Sequence, residues 1–525
     1  MKPVAKIRHH LLEVFCFLLW LLSYDLTAQV IDDRNQDTET EVEHLEPLSR
    51  KYPFSELAIA GEVEALEQSL ALYKERFLDS LLLPSKVEDD WEDKLVKLPE
   101  NSCFIDFLRY RKTSGDSTKI IYGAVISIDG KMPQFVELGT EAILLRWLRA
   151  VDERLNYRAN LNGNREVEPP LLRLQAALEQ IHLLFLAPVI AVIPDDVQRL
   201  IISLDGSLRL APFSCLLDED NSFFCDTFPE VFFVSSRRDL GISVSSEGLS
   251  AGRWDLIEAK LQDEELRRLT ELETDFPISE KLESLRAISP SGSRVFMSSD
   301  DIQAALAAIP SSPQLLHFDD SVVFEKTTLR GTRNKNVIGF PEILSSSGFM
   351  VGGFADGKLS PSEIPNLDLS QTQLVTLSSC DFMLSDPIAA EELICLQRAF
   401  LNAGARQVLV DLWQKPNSPN SDFIARFYRA SRNSKALGQS LWALQRRMLT
   451  REVKISDEAK LEEAVLHYGG LTIIRQGPLP TVSTPVEVGE EDSGRFLRRY
   501  SLWIFTFGIC LVLLLIFAGK YRMED

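Results

Sequence analysis

The chain has 525 residues, of which 45% are hydrophobic and 9% aromatic, a composition typical of globular proteins that excludes a disordered chain. It carries 56 basic against 77 acidic residues, and its formal net charge is −21. Because such a charge repels phosphate backbones, we exclude DNA and RNA as partners.

The N-terminus, residues 1–28, shows the order of features found in a secretory signal. The first ten residues are basic, residues 14–22 form an uninterrupted apolar run, and a small-residue cleavage site ends at Ala28. This apolar run is too short to cross a bilayer, so we expect cleavage and export rather than permanent anchoring. A buried core helix is the alternative interpretation, although Glu13 weakens the signal run.

Two kinds of sequence follow in residues 29–90. Residues 30–47 are acidic and polar, and they predict a solvated leader. Residues 54–83 place leucines and alanines at helical spacing, as in LEQSLALYKERFLDSLLL, and they predict one or two helices.

Strand patterns begin near residue 98. The segments SCFIDFLRY and KIIYGAVISID, with a Gly-containing break between them, predict a hairpin. QFVEL and a helix over residues 141–155 follow. A second helix, LLRLQAALEQIHLLFLAPV, leads to the short apolar strand RLIISLDG.

Further along the chain, short strands alternate with helices. The strands are FFVSS, QLLHF and QLVTLSS, and the helices include DIQAALAAI, EELICLQRAFLNAG and ALGQSLWALQRRML. This alternation predicts an α/β fold with a mostly parallel sheet flanked by helices. Reactive groups collect at the carboxyl ends of strands in such sheets, and Cys380 ends the strand LVTLSSC.

The other cysteines indicate no metal or redox motif. No CxxC spacing occurs, which argues against a zinc ribbon or a thioredoxin-like motif, and no Walker or dinucleotide fingerprint is present. We therefore predict neither a metal nor a cofactor. Cys215 and Cys225 flank a turn-like LLDEDNSFF and are either cross-strand disulfide partners or unpaired core thiols.

The pentapeptide GLSAG at residues 248–252 fits the G-x-S-x-G elbow of serine hydrolases. That interpretation requires a helix in the following RWDLIEAKLQDEELRRL and a buried strand before the elbow. The preceding ISVSSE is too polar for a central strand, so we expect a variable connection here instead.

The C-terminal region predicts a linker and a membrane anchor. Residues 476–500 contain several prolines and the acidic run GEED, and they are suited to space the body from a membrane. Residues 502–519 are uncharged and reach about 27 Å as a helix, close to the hydrocarbon thickness. We therefore predict a transmembrane helix over residues 501–520.

The orientation of this helix follows from the signal at the other end of the chain. An exported body leaves only residues 521–525 in the cytoplasm and places the protein in the cell membrane with its body on the periplasmic or extracellular side. Arg495, Arg498 and Arg499 precede the helix and support the alternative, a tail-anchored protein that faces the cytoplasm.

Several sequence blocks, in order, carry a resemblance to a known family. They are LPENSCFIDFLRYR, IYGAVISIDGKMPQFVELG, RLIISLDGSLRLAPFSCLLDED, DGKLSPSEIPNLDLSQTQLVTLSSCD and LQRAFLNAGARQVLVDLW. Together they resemble CHAT domains, which are caspase-like and separase-like cysteine peptidases of bacteria that sometimes carry a C-terminal membrane helix. The resemblance covers residues 91–475. It implies a caspase-like sheet with an N-terminal subdomain that contains the hairpin.

The resemblance implies that Cys380 is the nucleophile of a Cys-His dyad, with Asp381 in the acidic position after it. In the family, the base comes from the end of the neighbouring strand, where a first His is followed after three residues by a catalytic His and a Gly. The corresponding stretch here is HFDDSV. His317 fills the first position, whereas Ser321 and Val322 occupy the His-Gly positions, so the base is missing.

This departure removes the group that activates the thiol. A paired imidazolium lowers the pKa of a cysteine and later protonates the leaving amine, and Ser321 can do neither. Val322 and Met383 also stand where the family has glycines. His317 lies inside its strand, and we expect it to make a structural hydrogen bond.

The sequence therefore predicts a membrane-anchored pseudo-peptidase that recognises a protein or peptide partner without cutting it. The main alternative is an active endopeptidase in which Cys380 uses a base from elsewhere and backbone amides near Val322 stabilise the oxyanion. His182, in a helix, and His467, near a late strand, are the other imidazoles of the body. A purely structural envelope scaffold is a third possibility.

Overall fold

The structure is a computed structural model. It describes residues 63, 67, 96–114, 117–162, 169–228, 230–242, 249, 252–258, 284–297, 312–322, 359, 361–380, 382, 384–413, 419–432, 434, 436–452, 455 and 457–479.

The described strands form one 11-stranded sheet in the order β3-β2-β1-β4-β5-β11-β10-β9-β8-β6-β7. Their bounds are β1 Ser102–Ser114, β2 Ser117–Ile128, β3 Gln134–Thr140, β4 Arg199–Ser203, β5 Glu230–Val234, β6 Trp254–Glu258, β7 Arg294–Met297, β8 Leu315–Val322, β9 Leu374–Cys380, β10 Gln407–Asp411 and β11 Leu471–Arg475. The α/β fold with a large, mostly parallel sheet is thereby confirmed.

This sheet has two halves that run in opposite directions. β1, β4, β5 and β11 are parallel neighbours, and so are β10, β9, β8, β6 and β7. The halves meet where β10 pairs antiparallel with β11. The carboxyl ends of the two sets of strands therefore lie at opposite edges of the sheet, a reversal that the sequence pattern did not predict.

The predicted hairpin is present at one end of the sheet. β1 and β2 pair antiparallel along their whole length, and β3 pairs with β2. β1 pairs with β4 only from Ser102 to Asp106, so the stretch from Phe107 to Ser114 pairs with β2 alone. The hairpin, with β3 beside it, thus extends past β4.

The described helices are α1 Glu141–Asn162, α2 Leu174–Ile181, α3 Ala187–Ile190, α4 Phe224–Thr227, α5 Pro387–Asn402, α6 Pro419–Ser431, α7 Leu437–Glu452 and α8 Glu458–Ala464. α1 extends beyond the predicted residue 155. The predicted second helix is interrupted, because a π-helical turn at His182–Leu186 separates α2 from α3. Pro188 has no N–H for a regular α-helical bond at this point, which accounts for the interruption.

Helices cover both faces of the sheet, because alternate side chains of β8 and β9 pack against different helices. Leu316, Phe318 and Leu377 pack in one apolar cluster with α5. Leu315 and Leu374 pack in another with α6 and α7. Because successive strand residues point to opposite faces, each strand contributes to two separate cores.

The structure decides between two pairs of local alternatives. The RWDLIE segment after GLSAG forms strand β6 and not the helix that a nucleophile elbow requires. The turn between Cys215 and Cys225 is closed by one bridge, Leu217 to Phe223, and both cysteines are buried core residues outside any disulfide, as one of the two alternatives predicted. Backbone pairing in this turn is too short to form a regular hairpin.

Among the described residues, no helix combines the length and apolar character needed to cross a bilayer. The predicted signal, the acidic leader, the helix DIQAALAAI and the transmembrane helix over residues 501–520 lie outside the described residues. From the predicted helical region 54–83, Val63 and Glu67 are described, and both are helical. Val63 packs on the apolar face of the hairpin, and Glu67 accepts a hydrogen bond from Arg237 at 2.7 Å.

Candidate active site

β8 and β9 bring the predicted catalytic positions to the same edge of the sheet. The two strands are parallel neighbours, so their carboxyl ends lie together. Ser321 pairs with Ser379, and Val322 pairs with Cys380. The side chains of Ser321 and Cys380, like Asp381 as a whole, lie outside the described part, so their roles stay predictions.

The pairing of β8 with β9 contains a register shift just before this edge. Phe318 pairs with Leu377, but the next pair is Ser321 with Ser379. Two residues of β8 therefore oppose Ser378 alone, as in a β-bulge. Regular pairing would place Ser321 level with Cys380, whereas the shift places Val322 there.

His317 lies below this edge in the interior of the sheet and is 1% exposed. Its Nδ1 is 2.7 Å from the hydroxyl of Tyr428, and its Nε2 is 3.4 Å from Oγ of Ser378. The Tyr428 hydroxyl donates its proton to Oγ1 of Thr376 at 2.8 Å, so its oxygen accepts from Nδ1–H of His317. Both ring nitrogens of His317 thus face buried neighbours.

Ser378 extends this buried network toward the edge. Its hydroxyl lies 2.7 Å from Oδ1 of Asp319 and 3.2 Å from the carbonyl oxygen of Phe318. Asp319 is 8% exposed and belongs to the shifted part of β8. The network of Asp319, Ser378, His317, Tyr428 and Thr376 therefore supports the strand ends that carry Ser321 and Cys380.

Tyr428 joins this network from helix α6. Burial raises the pKa of its hydroxyl well above the ordinary range, so the group stays protonated and remains a donor. The sequence carried a weak signal for the network, because Thr376 and Ser378 are polar at alternate positions of β9. Nothing in the pattern of α6 marked Tyr428 as their partner.

The other described histidines lie elsewhere. His182 is in the π-helical turn after α2, where burial lowers its pKa. His467 is in a second π-helical turn, Val465–Gly469, directly before β11. Leu412, just after β10, donates its N–H to the carbonyl of Gly470 and accepts from Phe382. These bonds place the turn with His467 at the same edge as the end of β9.

The described thiols are unsuited to nucleophilic chemistry. Cys103, Cys215, Cys225 and Cys395 are all buried. Burial raises the pKa of Cys103 to about 12, and it raises that of Cys225 well above the ordinary value. No cluster of His, Cys, Asp and Glu among the described residues has the makeup of a metal site.

A second polar cluster lies at the opposite edge, after β4. Asp205 accepts hydrogen bonds from the backbone N–H groups of Arg109 and Gly206, both at 2.9 Å. The guanidinium of Arg109 bonds Glu141 at 2.9 Å and Glu391, on α5, at 3.2 Å. Although burial lowers it, these carboxylates raise the pKa of Arg109 well above the ordinary value. The sequence pattern did not predict this cluster.

Comparison with known proteins identifies one family and several solved structures, of which one is described here. The crystal structure of the Saccharomyces cerevisiae separase-securin complex resembles the chain with a TM-score of 0.38 and 9% sequence identity, over 77% of this chain and 31% of that one. The chain thus spans about a third of the length of that separase chain. No curated protein matches the sequence. The family model for the CHAT domain matches residues 175–466, more than half of the chain, and the protein therefore belongs to the CHAT domain family.

Proposed function

We propose that this CHAT-domain protein is a pseudo-peptidase that recognises a protein or peptide partner at the cell envelope, anchored by residues 502–519. One observation carries the proposal. The positions beside Ser379 and Cys380 on the neighbouring strand are occupied by Ser321 and Val322, which have no imidazole.

The chemistry of a cysteine peptidase explains why this matters. A thiol at its ordinary pKa is only a few per cent ionised at neutral pH, and a neighbouring imidazole both raises that fraction and supplies the proton for the leaving amine. His317 precedes Ser321 by four residues, roughly 13 Å along an extended strand. Its ring is occupied by Tyr428 and Ser378.

The competing function is an active endopeptidase. His467 favours it, because the turn that holds this residue lies at the carboxyl edge of β10, next to β9. In that mechanism Cys380 attacks the substrate, His467 supplies the base, and backbone amides near Val322 and Cys380 stabilise the oxyanion.

Alkylation of Cys380 against pH separates the two functions. In a pseudo-peptidase, the rate at which iodoacetamide alkylates Cys380 should rise with pH around a midpoint near the ordinary thiol pKa of about 8.5. Mass spectrometry of the peptide containing Cys380 measures the rate, and the Cys380→Ala variant gives the background from other cysteines. A midpoint below about 7 that rises in His467→Gln would contradict the pseudo-peptidase and support the endopeptidase.

Restoring the missing base is the complementary test. The Ser321→His/Val322→Gly variant should lower the pKa of Cys380 and produce activity if only the dyad is absent. Because the register shift places residue 322 level with Cys380, Val322→His alone is the matched variant that tests which position faces the thiol. A native partner that binds wild type and Cys380→Ala equally would favour recognition over catalysis.

The proposed anchoring has its own test. Removal of residues 501–525 should move the protein from the membrane fraction to the soluble fraction. Protease added to intact cells should cut the body if it is exported. Protection of the body until cell lysis would support the cytoplasmic, tail-anchored alternative.

A further inference from the structure

A cleft opens where β5 and β11 meet in the middle of the sheet. These strands pair only at Phe233 with Ile474 and at Val234 with Arg475. Phe233 and Thr472 are partly exposed, although both strands have neighbours on either side. The face of the sheet at this seam is therefore open to solvent.

Two adjoining cavities occupy the cleft. The residues that line both of them are Leu204, Arg209, Phe233 and Thr472. Each cavity has a volume of about 30 Å³, which is room for roughly two or three water molecules. Together they hold a compound of about five non-hydrogen atoms, a size that excludes a peptide segment and fits a small organic molecule.

The first cavity is lined mainly by apolar side chains. The ring of Phe233 packs edge-to-face against Phe213 and Trp442, with ring centres 5.5 and 6.1 Å apart. Ala211 and Leu441 add aliphatic surface. An alkyl group placed in this cavity is removed from water, which is favourable through the hydrophobic effect.

Arg209 lines both cavities and supplies a positive charge. It belongs to the short 3₁₀ helix Gly206–Leu210 that follows β4, and it is 8% exposed. Its Nη2 donates to Oδ1 of Asp205 at 3.5 Å, which is long for a hydrogen bond. Its Nη1 is buried with no hydrogen-bond partner in the described part of the chain. Because an unpaired buried donor is costly, this nitrogen favours an acceptor in the cleft.

Ser235 places a second donor in the second cavity. This residue directly follows β5 and is 4% exposed, and its Oγ also lacks a hydrogen-bond partner among the described residues. The second cavity thus has two unpaired donors, Arg209 and Ser235, whereas the first has the apolar rings. The two oxygens of a carboxylate match these donors, but phosphate brings more oxygens and more charge than they can satisfy.

We propose that the cleft binds a short-chain carboxylate of about three or four carbons. Its oxygens accept hydrogen bonds from Arg209 and Ser235 in the second cavity, and its alkyl group fills the first. Water satisfies the two polar groups equally well, but only an alkyl group gains from contact with the rings. The proposal is independent of the chemistry of Cys380, and Cys380→Ala should bind the ligand like the wild type.

Calorimetric titration of the full-length protein in detergent with a series of anions tests the ligand class. Affinity should rise about fourfold from acetate to propionate, because burial of one methylene group is worth about that factor. It should fall for hexanoate, which is too long for the cavities, and inorganic phosphate should bind at least about tenfold more weakly than propionate. Absence of propionate binding, equal binding of phosphate, or an affinity that keeps rising to hexanoate would overturn the proposal.

Arg209→Gln and Ser235→Ala test the two donors. The first should weaken propionate binding at least about tenfold, since it removes a charge-assisted hydrogen bond, and the second about fivefold. Arg199→Gln is the matched control. It removes the same charge from the opposite face, where Arg199 lies 5.7 Å from the centre of the Phe232 ring and pairs with Glu230. If Arg199→Gln weakens binding as much as Arg209→Gln, net charge acts from a distance and the assigned site is wrong.

Ala211→Val tests the place of the alkyl group without altering any charge. Ala211 lines the first cavity, is 5% exposed and has an extended backbone that valine also adopts. The added methyl groups should occupy the cavity, so propionate should bind at least about fivefold more weakly while the melting temperature stays the same or rises. Propionate binding at wild-type affinity would show that the alkyl group lies elsewhere and would overturn the proposal.

Discussion

His317 illustrates that the role of a histidine depends on its position along the strand. At a strand end its imidazole could titrate beside the thiol, but in the middle of β8 it holds Tyr428 and Ser378 in a buried network. The HFDDSV pattern identified the strand and its end. The hydrogen-bond partners of His317 could not be predicted, because Tyr428 is 111 residues away and approaches from another element.

Tyr428→Phe tests whether the network stabilises the fold. The phenylalanine keeps the ring but removes the donor to Thr376 and the acceptor for His317, so we expect a loss of about 1–3 kcal/mol in the free energy of unfolding. Urea unfolding followed by circular dichroism measures it. Tyr157→Phe on α1, which is half-buried, is the control and should change stability by less than about 0.5 kcal/mol. Equal losses in the two variants would contradict the role of the network.

His182 should make stability depend on pH. Burial lowers its pKa from 6.5, although Asp218 and Glu219 act in the opposite direction. Below pH 6.5 the unfolded chain therefore binds a proton that the folded chain resists, and stability falls as the pH decreases. His182→Phe should reduce this loss between about pH 7 and 5, as measured by denaturant unfolding at each pH. An identical slope in both proteins would assign the acid sensitivity to other groups.

Strands and helices with strong periodicity were the most predictable elements. The hairpin, α5 and the strands β4, β8 and β9 follow their sequence patterns closely, and α1 begins at the predicted residue. The register shift in β8 was not predictable, because the alternation of side chains there is broken by consecutive aspartates that fit a strand or a turn equally well. RWDLIE was ambiguous for a related reason, since a short apolar run fits either a strand or a helix.

The turn after β4 depends on a glycine. Gly206 has a φ of 49°, and a Cβ there would lie 2.5 Å from the hydroxyl of Tyr122, so Gly206→Ala should cost more than about 2 kcal/mol. Gly130 has a φ of 72° with nothing within 4 Å of an added Cβ, and Gly130→Ala should cost only about 1 kcal/mol. Thermal unfolding compares the two. Similar losses of stability in the two variants would show that the contact with Tyr122 is easily relieved, so that the positive φ alone sets the cost.

At the scale of the whole molecule, α5 ties the two halves of the sheet together. It follows the Cys380 edge in sequence, and its Glu391 and Arg398 reach Arg109 and Asp239 in the other half. A mostly parallel sheet was predictable from the alternation of strands and helices. Its reversal at β10 and β11 was not, because side-chain alternation is the same for both strand directions.

Arg398→Met tests this connection. Arg398 and Asp239 form an ion pair at 2.8 Å with their side chains 5% and 0% exposed, so breaking it should cost about 3–5 kcal/mol. The exposed pair of Arg446 and Asp226, also at 2.8 Å, is the matched control, and Arg446→Met should cost less than about 1 kcal/mol. Guanidinium unfolding measures both. A small loss for Arg398→Met would mean that apolar packing alone joins the halves.

The hairpin that extends past β4 has a consequence for where a protease first cuts the folded protein. Among the described strands, β3 reaches β2 no further than Ile121, so β1 and β2 form a two-stranded ribbon from Arg111 to Ser114. A two-stranded ribbon is only marginally stable by itself, so this outer part depends on what packs against it. When the residues packed against it move away, this ribbon should be the first part of the sheet to unfold locally. Limited proteolysis should therefore nick the chain near residues 115–116 long before the central strands are cut.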